Sequence, residues 1–191
     1  CNLYVDSKAD LDVARKIAVT AKSGRPGVCN AIENLFVHRE IASEFLPETI
    51  DALAEANCEV RADSEARSIL AHARPDLTIA EATEEDFHAE FLDLILSVKV
   101  VESIENAIDA VNRYGSGHSD AIVTDDEPTA ERFLAAIDTS TVYWNASTRF
   151  TDGFEFGLGS EIGISTDRLH ARGPMGLREL CTYKYQVRGN G

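Results

Sequence analysis

Residues 34–61, NLFVHREIASEFLPETIDALAEANCEVR, form a strand–helix–strand pattern. Residues 34–38 are a short apolar run typical of a buried strand, and residues 40–56 place apolar side chains at helical spacing. Residues 58–61 again have the composition of a strand. Because a helix between two strands is the usual crossover in a parallel sheet, this unit indicates an α/β fold.

The same alternation extends outward from this unit in both directions. Strands are predicted at residues 3–5, 92–101, 120–124 and 141–144, and helices at residues 9–20, 64–73, 103–114 and 128–136. Residues 145–176 lose any regular pattern, and Thr182 to Val187 alternate as a final strand. The chain is therefore predicted to be α/β, with a largely parallel sheet flanked by helices.

Charge and hydropathy exclude several classes of partner. The net charge is −15, and nucleic acids and anionic membranes require basic surfaces, so we expect neither as a partner. No apolar run is long enough to span a bilayer, and the first residues show no signal-peptide pattern, which favours a cytoplasmic protein. Cys1 opens the chain and is followed almost at once by a predicted strand, and this start predicts a truncated or processed polypeptide.

The four cysteines, at positions 1, 29, 58 and 181, form no C-x-x-C pair and no zinc-ligand spacing, so no metal site is predicted. Cys29 alone follows a glycine-rich turn, and Asn30 to Glu33 are predicted to be the first turn of a helix. A thiol at a helix N-terminus has a lowered pKa, which suits a nucleophile. The alternative is that Cys29 is a small buried apolar residue, as we expect for the other three.

An ordered series of motifs resembles the γ-glutamyl phosphate reductase family of the aldehyde dehydrogenase superfamily. The thiol motif is Arg25-Pro-Gly-Val-Cys-Asn-Ala31. The later motifs are Asn112-Arg-Tyr-Gly-Ser-Gly-His118, Asn145-Ala-Ser-Thr-Arg-Phe-Thr-Asp-Gly153, Glu155-Phe-Gly-Leu-Gly159, Glu161-Ile-Gly-Ile-Ser-Thr166 and Leu169-His-Ala-Arg-Gly-Pro-Met-Gly-Leu177. The set runs from near one end of the chain to the other.

The resemblance implies an aldehyde-dehydrogenase-like catalytic domain at residues 1–165. Residues 166–191 are then a return segment that ends in an oligomerisation flap strand, through which the family forms homo-oligomers. It also implies that an N-terminal NADPH-binding half is absent from this chain and that the chain by itself has little or no activity.

The activity implied by the resemblance is the NADPH-dependent reduction of L-glutamyl 5-phosphate to L-glutamate 5-semialdehyde, the second step of proline biosynthesis. Cys29 thiolate attacks the acyl phosphate, phosphate leaves, and the resulting thioester is reduced by hydride. A functional association with glutamate 5-kinase, which supplies the acyl phosphate, is also implied.

Further site residues follow from the same resemblance. Thr148, Arg149 and Asn145 are expected at the substrate mouth, where a guanidinium suits either the phosphate or the α-carboxylate. Arg25 either contacts phosphate, lowers the pKa of the thiol or shapes the turn. Glu90 is expected to bind the nicotinamide ribose of NADPH. The alternative for Arg149 is that it forms an ordinary ion pair on the surface. The alternative for Glu90 is that it is an acidic residue at the end of a helix or the edge of a strand, with no role in binding.

Two other functions remain open on the sequence. One is an aldehyde-oxidising dehydrogenase that uses the same thiol and takes its water-activating glutamate from another segment. The other is a non-catalytic oligomerisation module in which Cys29 is inert. The rate at which Cys29 reacts with an alkylating agent separates an activated thiol from an inert one.

Overall fold

A seven-stranded, wholly parallel sheet forms the centre of the molecule in the computed structural model, which describes residues 1–168 and 170–191. The strand order is β4-β3-β5-β2-β1-β6-β7. The strands are β1 (Asn2–Val5), β2 (Asn34–His38), β3 (Glu59–Ala62), β4 (Ala80–Glu81), β5 (Ile95–Val101), β6 (Ser119–Val123) and β7 (Thr141–Trp144). The predicted parallel α/β fold is confirmed.

Helices cover both faces of this sheet. They are α1 (Leu11–Ser23), α2 (Arg39–Glu55), α3 (Ser64–Ala73), α4 (Glu84–His88), α5 (Ile104–Tyr114) and α6 (Glu127–Ala136). Helices α1, α2 and α3 contribute buried residues to one apolar cluster, whereas α4, α5 and α6 contribute to a second. The sheet therefore lies between two helical layers, as βαβ crossovers require.

Successive side chains of the central strands point alternately to the two helical layers. In β1, Leu3 and Val5 pack in the α1–α3 cluster, and Tyr4 packs in the α4–α6 cluster. Phe36 of β2 joins Tyr4 in the second cluster. Because successive side chains of a strand point to opposite faces, an apolar residue at every position is what a doubly covered strand needs.

The two residues predicted to bound a helix, Ser103 at its start and Gly115 at its end, bound α5 in the structure. The Ser103 hydroxyl accepts a hydrogen bond from the backbone N–H of Asn106 at 3.3 Å, and so caps the helix N-terminus. Gly115 ends the helix, and a Cβ at this position would lie 2.6 Å from the carbonyl oxygen of Val111. A glycine is therefore required here for close packing of the chain that leads into β6.

Two strand predictions are wrong in part or in full. The strand predicted from Leu92 begins only at Ile95, because Leu92 has a φ of 54°, which no extended chain allows. Thr182 to Val187 form no strand in the structure, and residues 181–191 are exposed. A strand needs a neighbour to accept and donate its backbone hydrogen bonds, and this segment has none among the described residues.

The predicted irregular stretch contains a small antiparallel hairpin. Strands β8 (Gly163–Ser165) and β9 (Gly173–Met175) pair with each other, so the hairpin crosses the domain boundary predicted at residue 165. Two 3₁₀ helices, Thr148–Phe150 and Leu177–Leu180, flank this region. The last predicted motif begins at Leu169, which lies outside the described residues. Of the helices in residues 1–168 and 170–191, none combines the length and apolarity of a membrane span.

Candidate active site

A cleft of about 240 Å³ opens at the amino edge of the sheet, where the strands begin. Its walls come from the chain segments that enter β1, β2, β5 and β6. Cys29 lies in the segment before β2, and Glu90 lies in the segment before β5. The structure therefore brings together the predicted nucleophile and the predicted cofactor-binding acid, 61 positions apart in the sequence, in one cleft.

The chain around Cys29 is a series of turns, and the helix predicted over Asn30 to Glu33 is wrong. The backbone N–H groups of this stretch bond to distant or irregular partners. Ile32 donates to the Ala21 carbonyl at 3.2 Å, and Glu33 donates to the Cys1 carbonyl at 2.8 Å. These long-range bonds displace the local pattern that a helix would need.

The pKa of the Cys29 thiol is raised, which contradicts the lowered pKa expected from a helix N-terminus. The residue is exposed, yet neighbouring atoms cover part of it, and this partial burial is the largest cause. The negative charge of Glu161 raises the pKa further, as does that of Glu90, whereas the positive charge of Arg149 lowers it. The surroundings within this chain hold Cys29 in its thiol form near neutral pH.

Thr148 and Arg149 both contact Asn30, which follows Cys29 in the turn formed by residues 25–31, here called the thiol turn. Thr148 is fully buried, and its hydroxyl donates to the Asn30 carbonyl at 2.7 Å. Arg149 is half-buried, and its guanidinium donates to Oδ1 of Asn30. Arg149 is thus near enough to act on Cys29 by charge, whereas the buried Thr148 hydroxyl is directed to the protein backbone.

Asn145 and Arg25, like Thr148 and Arg149, lie outside the lining of the cleft, and Asn145 and Arg149 line a separate groove. Asn145 has a φ of 52°, and its side-chain amide bonds both the N–H and the carbonyl of Thr124, each at 3.0 Å. This pairing closes the loop at the carboxyl end of β6, at the opposite edge of the sheet from Cys29. Arg25 is exposed in the turn after α1.

Sequence reasoning missed a buried ion pair in the wall of the cleft. Lys22, on α1, is fully buried and lies 2.6 Å from Glu33, whose side chain is 6% exposed. Burial raises the pKa of the Glu33 carboxyl, and the hydrogen bond from Lys22 opposes that effect. The only hint in the sequence was a lysine among the apolar positions at the end of α1.

A chain of polar side chains extends from the cleft into the protein. Cys1 Sγ lies 3.7 Å from Nδ1 of His118, which is 2.7 Å from the Ser119 hydroxyl. That hydroxyl is 2.6 Å from the hydroxyl of Thr151. Burial lowers the pKa of His118 to about 4, so the ring is neutral near pH 7. No role was predicted for His118.

No other cysteine is exposed in the cleft. Cys1 is buried at the cleft wall, Cys58 is buried elsewhere, and Cys181 is exposed beyond the second 3₁₀ helix. Burial raises the pKa of Cys58 to about 11. Within residues 1–168 and 170–191, no three histidine, cysteine or carboxylate side chains are grouped as metal ligands.

Comparisons with known proteins agree with the motifs. The model of the aldehyde dehydrogenase family matches residues 68–160. A γ-glutamyl phosphate reductase of Opitutus terrae is 58% identical over the whole chain, and one of Streptococcus suis is 56% identical. The chain spans 45% of the length of each of these relatives.

Solved structures show the same relationship. The crystal structure of γ-glutamyl phosphate reductase from Thermotoga maritima is 48% identical and superposes with a TM-score of 0.91, covering 99% of this chain and 46% of that one. The enzyme from Saccharomyces cerevisiae is 31% identical, with a TM-score of 0.64. By sequence and by fold, the chain is similar along its whole length to one part of the γ-glutamyl phosphate reductases, and the aldehyde dehydrogenase family model matches its middle part.

Proposed function

We propose that this chain carries the nucleophile of an NADPH-dependent reductase that converts L-glutamyl 5-phosphate to L-glutamate 5-semialdehyde and phosphate in proline biosynthesis. The observation that carries the proposal is the convergence of Cys29 and Glu90 in one cleft, in a chain 58% identical to a γ-glutamyl phosphate reductase. The relatives' name supplies the substrate class, and the exposed thiol supplies the chemistry.

The reaction begins when the Cys29 thiol loses its proton to solvent. The thiolate then attacks the acyl carbon of the substrate and expels phosphate to leave a thioester. The nicotinamide cofactor, when bound, supplies the hydride that reduces the thioester. The thiohemiacetal then collapses, the aldehyde leaves, and Cys29 regains its thiolate. Because phosphate is already a good leaving group, no residue of this chain has to activate water.

Arg149 is the residue proposed to bind the anionic part of the substrate. Its guanidinium lies beside the thiol turn, and a planar cation matches the oxygens of phosphate or carboxylate. As phosphate approaches, its charge is compensated by Arg149, which also opposes the Glu161 carboxylate at Cys29. Thr148 then supports the site through its hydrogen bond to the Asn30 carbonyl, whereas Asn145 holds the loop at the opposite edge of the sheet.

Glu90 is proposed to accept hydrogen bonds from the nicotinamide ribose, since it is exposed in the same cleft as the thiol. The cleft, about 240 Å³, is smaller than the usual 300–1,000 Å³ or so of a small-molecule pocket. It suits the nicotinamide end of NADPH and not the whole dinucleotide. We therefore expect the 191-residue chain by itself to show little turnover.

We also propose that the protein forms homo-oligomers and acts in the cytoplasm. The apolar side chains of Tyr183, Tyr185 and Val187 are 81–92% exposed, which supports pairing of this segment with a second copy of the chain. An acyl phosphate decomposes in water, so a functional association with glutamate 5-kinase and a shared cytoplasmic location suit the reaction.

A phosphate-dependence assay tests the function. The chain replaces the matching segment of the Opitutus terrae relative, and the chimaera is run in reverse with glutamate semialdehyde and NADP⁺. A reductase needs inorganic phosphate to cleave the thioester, so we expect NADPH to form only when phosphate is added. Equal rates without phosphate would identify an aldehyde-oxidising dehydrogenase instead. No NADPH under either condition, with a folded chimaera, would favour a non-catalytic module.

A further inference from the structure

Asn30, which follows Cys29, uses every polar group of its side chain on one distant segment. Its Nδ2 donates to the Thr151 carbonyl at 2.9 Å and to the Arg149 carbonyl at 3.3 Å. Its Oδ1 accepts from the Arg149 guanidinium. The residue is 7% exposed, so these bonds are shielded from water.

The backbone of Asn30 makes a further link to the same segment. Its carbonyl accepts from the Thr148 hydroxyl at 2.7 Å, and Thr148 is fully buried. The partners are 118 to 121 positions away in the sequence. The turn that carries Cys29 and the 3₁₀ helix that carries Arg149 are thus joined at one residue.

Only an amide satisfies this set of partners. Two backbone carbonyls require an N–H donor, and the guanidinium requires an oxygen acceptor. Aspartate lacks the donor, and leucine, of similar size, lacks both groups. Asparagine supplies both, and the bond at Oδ1 restricts a long Arg149 side chain that otherwise has many rotamers.

We infer that Asn30 is a positioning residue that holds the guanidinium of Arg149 beside the Cys29 thiol. It touches no reacting atom in this scheme and acts through Arg149, the cation that opposes the carboxylates around the thiol. The inference rests on the proposed function in one respect, which is that the proposed function gives the Arg149 guanidinium a catalytic use. The link itself is a property of the folded chain and is measured without turnover.

The test is a double-mutant cycle read by alkylation of Cys29 with iodoacetamide across pH, followed by mass spectrometry. Asn30→Ala frees Arg149, so the thiolate loses a nearby positive charge and alkylation near pH 7 slows by about twofold. In the Arg149→Ala protein, Asn30→Ala is expected to change the rate by less than about 1.2-fold, because the residue through which it acts is gone.

Asn112→Ala is the matched control. The Asn112 amide also joins two segments, donating to the Ala136 carbonyl and accepting from the Asp138 N–H, each at 3.1 Å. It lies on an exposed face, and its loss is expected to leave the alkylation profile unchanged. Equal slowing by Asn30→Ala with and without Arg149 overturns the inference, since the effect would then be a general distortion of the turn.

A second variant keeps the test decisive where Asn30→Ala does not fold. Asn30→Asp retains an oxygen for Arg149, and the guanidinium then also compensates the new carboxylate. We expect Arg149→Ala to slow alkylation more in the Asn30→Asp protein than in the natural one. An equal or smaller effect overturns the inference. Reductase failure in the phosphate assay, with this coupling intact, would refute the proposed function and leave the link between Asn30 and Arg149 standing.

Discussion

The two edges of the parallel sheet use polar side chains in opposite ways. At the amino edge, Cys29 and Glu90 are exposed in a cleft, and the buried Oδ1 of Asn34 has no hydrogen-bond partner in the described chain. At the carboxyl edge, Asp6 accepts from two hydroxyl groups, one of them that of Thr124 at 2.8 Å. Asp6 and its partners thus satisfy one another at the carboxyl edge, whereas Cys29, Glu90 and the Oδ1 of Asn34 are open groups at the amino edge.

This difference runs against the usual rule for open α/β sheets, in which ligands bind outside the carboxyl ends of the strands. Here the loops after β1, β6 and β7 are closed by hydrogen bonds, as the pairing of Asn145 with Thr124 illustrates. The site of this chain therefore could not be located from the rule about carboxyl ends of strands. It is located by the chemistry of individual side chains, above all that of Cys29.

The largest expected effect comes from the amino edge. Cys29→Ala removes the nucleophile, so the phosphate-dependent rate of the chimaera is expected to fall about a thousandfold or more. The residue is exposed, so the free energy of unfolding should change by less than about 0.5 kcal/mol. Both are measured on the same preparation, by the reverse assay and by urea unfolding.

Cys58→Ala is the control for this variant. Cys58 is buried outside the cleft, so it is expected to keep the rate and to lose about 1 kcal/mol of stability through lost packing. If Cys29→Ala keeps more than a tenth of the rate, Cys29 is not the nucleophile and the contrast between the two edges fails.

A stability effect of intermediate size is expected at the carboxyl edge. Asp6→Ala leaves the buried hydroxyls of Tyr4 and Thr124 without their acceptor, which costs about 2–4 kcal/mol of unfolding free energy. Urea denaturation of the 191-residue chain measures it. Asp125→Ala, an exposed acid in the neighbouring loop, should stay within about 0.5 kcal/mol. Equal costs for the two would show that the carboxyl edge is not held by its internal bonds.

The smallest effect concerns the pH dependence of the thiol. Glu161 raises the pKa of Cys29, so Glu161→Gln lowers that pKa and increases the thiolate fraction at pH 7. Alkylation should accelerate by about two- to threefold, with the titration midpoint shifted to lower pH. Glutamine keeps an oxygen for the Gly153 N–H, which Glu161 now bonds at 2.9 Å. Slower alkylation of the Glu161→Gln protein would mean that Glu161 lowers the pKa of Cys29, and it would refute this electrostatic explanation.

Local patterns in the sequence were enough to predict the sheet and its helices. Apolar runs and helical spacing located β1, β2, β6 and β7, and the Ser103 cap and Gly115 bounded α5, because each of these signals acts within one turn or one strand. These signals depend on burial and capping near the residue itself. For the site, the resemblance predicted Cys29 and Glu90, and the structure places both in one cleft.

Long-range bonds decided the features that the sequence did not predict. The helix expected after Cys29 is absent because the Ile32 N–H bonds to Ala21 within α1 and the Glu33 N–H bonds to Cys1 before β1. The amino-edge position of the cleft and the Lys22–Glu33 pair depend on which loops meet in space. The short helix α4 did have a local signal, a capping box between Thr83 and Asp86, that passed unrecognised.

The position of β1 in the sheet has a consequence for synthesis of the protein. Asn2 pairs with Asn34 on one side and with Asp120 on the other, so the second edge of β1 stays unpaired until 118 further residues are made. At roughly 5–20 residues per second, that delay is on the order of ten seconds on the ribosome. During this interval one backbone edge of β1 is unpaired, and Leu3, Tyr4 and Val5, buried in the folded protein, lack part of their cover, so we expect β1 to be prone to non-native strand pairing until β6 is made.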